Sequence, residues 1–322
     1  MKVILLGSFP TSNLLFESLL NNNLLQAVCF EEDYVNLEVN DTLKNNNLPF
    51  FNINKKNINN VFKDWLQKQN TDLVIVCGFS LKIPEELLTI PSLGFYNIHF
   101  GKLPTNRGPV PLFWSLKNGE TETAITIHKI DNNWDSGDIV LEQKVPIIKG
   151  ETLGMLNSKM SFFLKDLGLK AINLIKSNSV LQAQSEKENI IYNKRPSSVE
   201  TSIDWDTQTA EEIENLVNAC NPKYGGATTY YQKAPIKIIE VSPVDNQTPL
   251  FGTPPGTIIH AHPQDGIFVC CKYGQLLRIN IINSDAGILT GNKYVNLGLQ
   301  QGHCFTSNNY SIVKQEINQT IV

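Results

Sequence analysis

The sequence predicts an α/β fold in which a mostly parallel sheet, covered by helices, is followed by a small β-barrel. In the first half, short apolar runs alternate with stretches whose apolar residues recur at helical spacing. This alternation is typical of parallel strands that are joined by helices. In the second half, short β-like runs follow one another with turn residues between them, which indicates a small barrel or sandwich.

The elements of the first half follow from the position and spacing of its apolar residues. Short apolar runs that end at glycine, serine or polar residues predict buried strands, because parallel sheets are covered on both faces. These runs are "KVILLGS", "LLQAVCF", "TDLVIVCGFS" and "LGFYNIHF", and "ETETAITIHKI" alternates like a strand with one wet face. Helical spacing predicts helices in "SNLLFESLLNN", "NNVFKDWLQKQN" and "GETLGMLNSKMSFFLKDLGLKAINLIKS".

The pattern changes near residue 195, where we place a domain boundary. A polar, aperiodic stretch that contains Pro196 predicts a linker over about 177–202, passing over a surface. One predicted helix, "TAEEIENLVNAC", precedes the β-like runs "GGATTYY", "IKIIEVSPV", "GTIIHAH", "GIFVCC" and "QLLRINII". The sequence therefore predicts one domain over 1–195 and a second over 196–322.

The composition excludes several classes of protein. The 322 residues, 41% of them hydrophobic, can bury the cores of two domains. A net charge of −4 shows no overall basic character for nucleic acid, although a local patch can still bind it. The cysteines form no C-x-x-C pair, and we predict no metal site. Neither a signal peptide nor a run of about 18 apolar residues occurs, so we expect a soluble, cytoplasmic protein.

The loop after the first strand, "GSFPTS", lacks both glycine-rich patterns that cradle phosphates. The predicted sheet is Rossmann-like, but NAD or ATP bound in the usual way is not expected. Ligands of open α/β sheets lie beyond the carboxyl ends of the strands. In this chain those ends are "CGFSLKIP", "NIHFGKLP" and the loop "DNNWDSGD".

Asn97 and His99 stand two residues apart at the end of a predicted strand, so their side chains point to the same face. An imidazole can take a proton near neutral pH, and a carboxamide can donate to an oxygen that becomes negative in acyl transfer. Taken alone, a histidine at a strand end is more often structural. Lys102 and Arg107 follow on a proline-rich loop, which predicts an anionic substrate or cofactor; the alternative is a solvated turn.

The turn "DSGD" supplies carboxylates near the same edge of the sheet. Asp135 and Asp138 lie in it, and Asp131 precedes it. Such a sequence is ordinary turn chemistry. A functional role requires one carboxylate to reach His99, where it would orient the ring and stabilise an imidazolium.

These motifs, taken in order, resemble the folate-dependent formyltransferase family. The resemblance lies in Asn-x-His, then "LPTNRG", then "DSGD", and continues through "SIDWDTQTAEEIENLVNACNPKYGG", "PGTII" and "LGLQQGHCF" over nearly the whole chain. One departure is that the family commonly has Ser-Leu-Leu-Pro, often followed by Tyr-Arg-Gly, where this chain has "GKLPTNRG". The resemblance implies a formyltransferase domain followed by an OB-like C-terminal barrel.

The resemblance also implies a cofactor and roles for individual residues. The cofactor is 10-formyltetrahydrofolate, whose pterin would contact Phe79, Leu81 and Ile83, with the turn at Gly137 and Asp138 as the other wall. A flat heteroaromatic ring fits apolar walls with a few main-chain polar groups. The catalytic set would be Asn97 as oxyanion donor, His99 as base and Asp135 as the residue that holds His99. His128 lies inside an alternating strand, so we predict that it is non-catalytic.

The formyl acceptor would be a primary amine, and three kinds remain open: methionyl-tRNA, a nucleotide-linked amino sugar, and an amino acid or other small amine. The segment from Glu31 to Asp41, which follows the second predicted strand, is acidic. By resemblance, the branch of the family that acts on tRNA has a basic, glycine-rich loop at this place. The acidic charge disfavours tRNA, although a C-terminal barrel, which both branches carry, could contact it. "NKRPSSVETSIDW" resembles the linker of sugar formyltransferases. We therefore expect a small, nucleotide-linked amine held by Lys102 and Arg107.

Two further interpretations use the same scaffold. A formyltetrahydrofolate hydrolase would use the same three residues with water as the nucleophile. A folate-binding regulator would need no catalysis, and the intact Asn, His and Asp set argues against it. The sequence leaves the oligomeric state open, with a homodimer as one candidate.

Overall fold

The computed structural model describes residues 1–31, 37–185 and 190–307. The described chain forms two compact units. The first consists of 1–111, 122–146 and 156–194, and the second of 112–121, 147–155 and 195–322, the latter described to residue 307. Within the described residues, no helix is long and apolar enough to cross a membrane.

The first unit is built on a seven-stranded sheet with the order β3-β2-β1-β4-β5-β6-β7. The first five of these strands are mutually parallel, whereas β6 and β7 are antiparallel additions. The predicted Rossmann-like, mostly parallel sheet is therefore confirmed. The strands are β1 (Val3–Gly7), β2 (Leu25–Glu31), β3 (Phe50–Ile53), β4 (Leu73–Cys77), β5 (Gly94–His99), β6 (Glu122–Lys129) and β7 (Ile139–Pro146).

Helices connect and follow these strands. They are α1 (Asn13–Asn21), α2 (Leu37–Asn45), α3 (Val61–Gln69), α4 (Pro111–Lys117) and α5 (Leu153–Lys176). Every residue of β1 and β4 is buried, as expected for inner parallel strands. Phe62 and Leu66 of α3 are fully buried in the core on one face of the sheet, with Leu6 and Val76. This packing fixes the strand ends from which the site is built.

The second unit carries an antiparallel sheet with the order β10-β11-β12-β9-β8-β14, and β13 pairs with β12. This arrangement confirms the predicted small β-barrel fold. A capping box between Thr209 and Glu212 begins its main helix. The elements are α6 (Ala210–Cys220), β8 (Ala227–Tyr231), β9 (Ala234–Val244), β10 (Ile258–His262), β11 (Gly266–Cys270), β12 (Leu276–Ser284), β13 (Gly287–Thr290), α7 (Gly291–Tyr294) and β14 (Phe305–Thr306).

Candidate active site

The predicted catalytic residues meet at β5 and the loop that follows β6. Asn97 and His99 lie on β5, and Asn97 is paired across the sheet with His128 of β6. Asp135 lies in the β6–β7 loop with a left-handed φ of 53°, a backbone conformation that non-glycine residues seldom adopt. The Asp135 carboxylate lies within ion-pair distance of His99 on β5 and of His128 on β6.

One carboxylate oxygen is the centre of the cluster. Asp135 Oδ1 lies 3.6 Å from His99 Nδ1 and 3.5 Å from His128 Nε2. Asn97 Nδ2 lies 3.4 Å from the same oxygen and 3.3 Å from His128 Nε2. The 3.6 Å contact to His99 is within ion-pair distance and longer than a hydrogen bond. The structure thus brings together Asn97, His99 and Asp135, and their catalytic roles remain a proposal.

His128 lies beside the proposed catalytic residues. The sequence predicted it to be non-catalytic because it lies in an alternating strand, and that role stays a prediction, but its place in the cluster was not foreseen. The register pairs His128 directly with Asn97, and paired residues of antiparallel strands point to the same face. The side chain is 2% exposed and contacts Asp135. A titratable residue on the strand that leads into the Asp135 turn is the signal that could have found it.

Two backbone carbonyls fix which ring nitrogens carry protons. His99 Nε2 lies 2.7 Å from the carbonyl oxygen of Asn106, and His128 Nδ1 lies 2.9 Å from that of Lys129. Because a carbonyl oxygen can only accept, each of these nitrogens must donate. The opposite nitrogens, His99 Nδ1 and His128 Nε2, are then free to accept when the rings are neutral. Both of these nitrogens face Asp135.

Burial and hydrogen bonds set the charges of the cluster. Burial lowers the pKa of His99 below its ordinary 6.5, and the opposing effects of Asp135 and the Asn106 carbonyl only reduce that shift. Burial alone would raise the pKa of Asp135. The His99 and His128 rings and the Gly108 N–H outweigh burial and lower this pKa from 3.8 to about 2. At neutral pH the site therefore holds a carboxylate beside a neutral His99.

The polar stretch predicted as a linker returns to this site. Gln184 Nε2 donates to the carbonyl oxygens of Asp135 and Gly137, at 2.9 Å each. Gln184 Oε1 accepts from Arg107 Nε at 3.1 Å and Arg107 Nη2 at 2.6 Å. Sequence reasoning missed Gln184, because a glutamine in an aperiodic segment carries no recognisable signal. One side chain thus joins the Arg107 loop to the Asp135 turn.

The loop from Lys102 to Gly108 is held by backbone contacts with the same stretch. Arg107 N donates to the Ile191 carbonyl at 3.1 Å, and Asn193 N donates to the Arg107 carbonyl at 2.8 Å. A Cβ on Gly108 would lie 2.0 Å from the Asn193 carbonyl oxygen, so only glycine fits there. Gly108 N donates to Asp135 Oδ2 at 2.9 Å. Of the two predicted substrate ligands, Lys102 is exposed, whereas Arg107 is half-buried against Gln184.

The predicted cofactor residues lie around the ends of β4 and β6. Phe79 and Leu81 are half-buried against the core, and Ile83 is buried within it at 6% exposure. Gly137 packs so closely that a Cβ would lie 2.0 Å from the Lys129 carbonyl oxygen. The Asp138 side chain is exposed, and its carbonyl accepts from Lys129 N at 2.9 Å. No contact among the described residues decides these binding roles.

The loop after β4 carries apolar side chains beside main-chain polar groups. Gly78 has a φ of 73°, and a Cβ there would lie 2.3 Å from Ser8 Oγ, so the backbone approaches the β1 loop closely. Glu31 accepts from Ser80 N at 3.1 Å and from Ser80 Oγ at 2.5 Å, which holds the loop. Half-exposed Phe79 and Leu81 then supply apolar walls beside main-chain polar groups. These features fit a folate ring system.

Two family models match most of the chain. A formyl transferase model matches residues 1–172, and a model of the formyl transferase C-terminal domain matches residues 197–296. This chain belongs to the formyl transferase family. Membership confirms the resemblance stated above and makes the protein a folate-dependent N-formyltransferase, with formyltetrahydrofolate as the formyl donor.

The curated relatives described here are both named for the formyl acceptor methionyl-tRNA. The chain is 32% identical over 231 residues to the methionyl-tRNA formyltransferase of Clostridium beijerinckii, covering 72% of this chain and 73% of that protein. It is 30% identical over 226 residues to the methionyl-tRNA formyltransferase of Enterococcus faecalis, covering 70% of each chain.

Solved structures with the same fold carry other names. The N-formyltransferase of Helicobacter canadensis, in complex with folinic acid and dTDP-3-aminofucose, has a TM-score of 0.65 at 19% identity, covering 87% of this chain and 98% of that one. HypX from Aquifex aeolicus in complex with tetrahydrofolic acid has a TM-score of 0.61 at 16% identity, covering 91% of this chain and 46% of that one. These likenesses show the fold.

Proposed function

We propose that the protein transfers a formyl group from 10-formyltetrahydrofolate to the primary amine of a nucleotide-linked amino sugar or a similar small amine. The observation that carries amine formylation is the pair formed by His99 Nδ1 and Asp135 Oδ1. Two acceptors 3.6 Å apart, one neutral and one anionic, suit an amine nitrogen that lies beside them within hydrogen-bond distance of both.

Each residue of the cluster has a separate role in the proposed reaction. Bound 10-formyltetrahydrofolate would supply the formyl carbon, and its nitrogen would leave as tetrahydrofolate by taking up the proton that His99 has first accepted from the amine. His99 Nδ1 accepts the proton that the acceptor nitrogen loses as its new bond to the formyl carbon forms. Asp135 stays ionised and stabilises the resulting imidazolium.

Asn97 is the proposed donor to the formyl oxygen as that oxygen gains negative charge. Its two amide N–H groups make contacts of 3.3 and 3.4 Å, which are long for hydrogen bonds. Asn97 can therefore give up these weak contacts and donate to the formyl oxygen at a low cost in free energy. One oxyanion donor contributes roughly 3–4 kcal/mol to barrier lowering.

The proposed choice of acceptor rests on a small number of cations. Lys102 is exposed, and the Arg107 guanidinium makes hydrogen bonds to Gln184 without pairing with a carboxylate of the described residues. Both charges are available for the few phosphates of a nucleotide sugar. The acidic segment from Glu31 to Asp41 supports the same choice, although residues 32–36 lie outside the described part of the chain.

Methionyl-tRNA is the second candidate, favoured by the names of the curated relatives. The two candidates predict different responses to salt. A tRNA acceptor that pairs several phosphates would lose activity steeply between about 50 and 200 mM salt, whereas two phosphates would not. A water acceptor, which would make the protein a hydrolase, is detected as formate release with no amine present.

The deciding experiment offers the purified protein labelled 10-formyltetrahydrofolate with each acceptor in turn. We expect a formylated nucleotide amino sugar by mass spectrometry, with weak dependence on salt over that range. Arg107→Ala should raise the acceptor KM more than it lowers kcat, because a phosphate ligand contributes mainly uniform binding. Efficient formylation of methionyl-tRNA that collapses over the same salt range would assign the protein to translation initiation instead.

A further inference from the structure

Three planar side chains form a row across the sheet of the second unit. His260 of β10 pairs with Phe268 of β11, and Phe268 pairs with Arg278 of β12. Directly paired residues of antiparallel strands point to the same face. The His260 and Phe268 ring centroids lie 5.8 Å apart, and Arg278 Cζ lies 5.9 Å from the Phe268 centroid. The row is thus set by strand register.

The negative charge near the row has partners, whereas the positive charge in the row lacks a carboxylate partner among the described residues. Asp265 Oδ2 lies 2.9 Å from His260 Nε2 and 3.6 Å from His262 Nδ1, so this carboxylate already contacts two imidazole rings. Arg278 is exposed, and among the described residues its guanidinium has neither a hydrogen bond nor a carboxylate partner, only the contact with the Phe268 ring. Its planar guanidinium therefore offers an unused positive charge beside an aromatic ring.

A shallow cavity of about 610 Å³, largely open to solvent, lies against this row. Its walls are the three residues of the row, the apolar Leu276 and Ile259, and the polar Gln264 and Asp265, whose carboxylate faces the imidazoles. Sites for small organic ligands commonly measure about 300–1,000 Å³ and combine apolar walls with a few polar groups. Arg278 is the one lysine or arginine in the cavity wall, as far as the chain is described.

We propose that this face of the barrel binds a mononucleotide, separately from the catalytic cluster. The base would stack on the Phe268 ring, and Arg278 would bind the phosphate through its fork of N–H groups. A single arginine is suited to one ligand phosphate. A nucleic-acid strand would require several cations to follow its backbone.

The test is equilibrium binding of AMP and UMP to the full chain, with adenosine, ribose 5-phosphate, inorganic phosphate and a short single-stranded oligonucleotide as further probes. We expect both nucleotides to bind, and ribose 5-phosphate to bind at least about tenfold more weakly, because it lacks the stacking base. Phe268→Ala and Phe268→Leu should each weaken AMP binding about tenfold or more. Arg278→Ala should weaken AMP binding to that of adenosine.

Phe251→Ala is the matched control, because Phe251 is an exposed aromatic residue of the same unit that lies outside the row. This variant should bind AMP like the wild type, and formyl transfer should be unchanged in every variant. Absence of AMP and UMP binding would overturn the proposal. So would AMP binding that survives Phe268→Ala, since the nucleotide would then occupy another site. Binding of the oligonucleotide alone, with steep salt dependence, would instead identify a nucleic-acid surface.

Discussion

Gln184 provides a sharp test of how the site is assembled. The change Gln184→Ala removes both N–H donations to the Asp135 and Gly137 carbonyls, and both bonds from Arg107. It deletes no group of the proposed catalytic set. Any loss of activity must then arise from the position of the Asp135 turn or of the Arg107 loop.

The expected fall in kcat follows from the two hydrogen bonds that hold the Asp135 turn. A net hydrogen bond contributes about 1 kcal/mol, so the two bonds to the turn amount to ~2 kcal/mol. If the carboxylate must be in place at the transition state, kcat falls about 30-fold. The bonds to Arg107 act on the acceptor, so their loss should appear as a raised acceptor KM.

Two further variants separate these contributions. Gln184→Glu keeps an acceptor for Arg107, but sets a carboxylate oxygen against two carbonyl oxygens, so kcat should fall at least as far as in Gln184→Ala. Gln182→Ala is the matched control, because the Gln182 side chain is exposed and its backbone N–H and carbonyl bond to Ile139 at 2.9 and 2.8 Å. It should behave like the wild type.

Steady-state kinetics with both substrates, and thermal unfolding of each variant, measure the outcome. A Gln184→Ala enzyme whose kcat is within about twofold of the wild type would refute the reasoning. An equal loss of activity in Gln182→Ala would also refute it, because the effect would then belong to the whole segment.

Three other predictions follow from the cluster and the core. Because burial lowers the pKa of His99, kcat/KM should rise with pH to a plateau, with a midpoint below pH 6.5. His99→Asn should remove this rise, and a midpoint above 6.5 would contradict the prediction. Asp135 has its pKa lowered from 3.8 to about 2, so its carboxylate stabilises the fold above about pH 4, and the stability is lost as pH falls towards 2. The stability difference between wild type and Asp135→Asn in urea unfolding should shrink over that window, and a constant difference would count against it. Trp205→Phe should lower the free energy of unfolding by about 1–3 kcal/mol, because buried Trp205 Nε1 donates to Thr229 Oγ1 at 2.9 Å. Denaturant unfolding of this variant and of Thr229→Val measures the loss.

The sequence predicted those parts of the site that depend on local chain direction. Asn97 and His99 share a face because side chains alternate along a strand. Their place at a strand end follows from the glycine and prolines after "NIHF". The parallel sheet follows from alternating strands and helices.

Other parts of the site depend on contacts between distant segments. His128 joins the cluster only because β5 and β6 pair in a register that sets it opposite Asn97, and a shift of one residue would turn it to the other face. Gln184 lies 49 residues from Asp135, in a segment without periodicity. No local pattern predicts where such a segment crosses the sheet. The same holds for the Asn106 carbonyl that sets the protonated nitrogen of His99.

These distant contacts confine the proton chemistry to one atom. The Asn106 carbonyl keeps a proton on His99 Nε2, so only Nδ1 can change its protonation state. Asp135 is held by the Gly108 N–H at 2.9 Å through its other oxygen, a bond that does not depend on the charge of His99. In the proposed reaction, the carboxylate is therefore in place before the imidazolium forms and need not move as Nδ1 gains a proton. A fixed charge aimed at a developing one lowers the barrier without the cost of reorganising solvent.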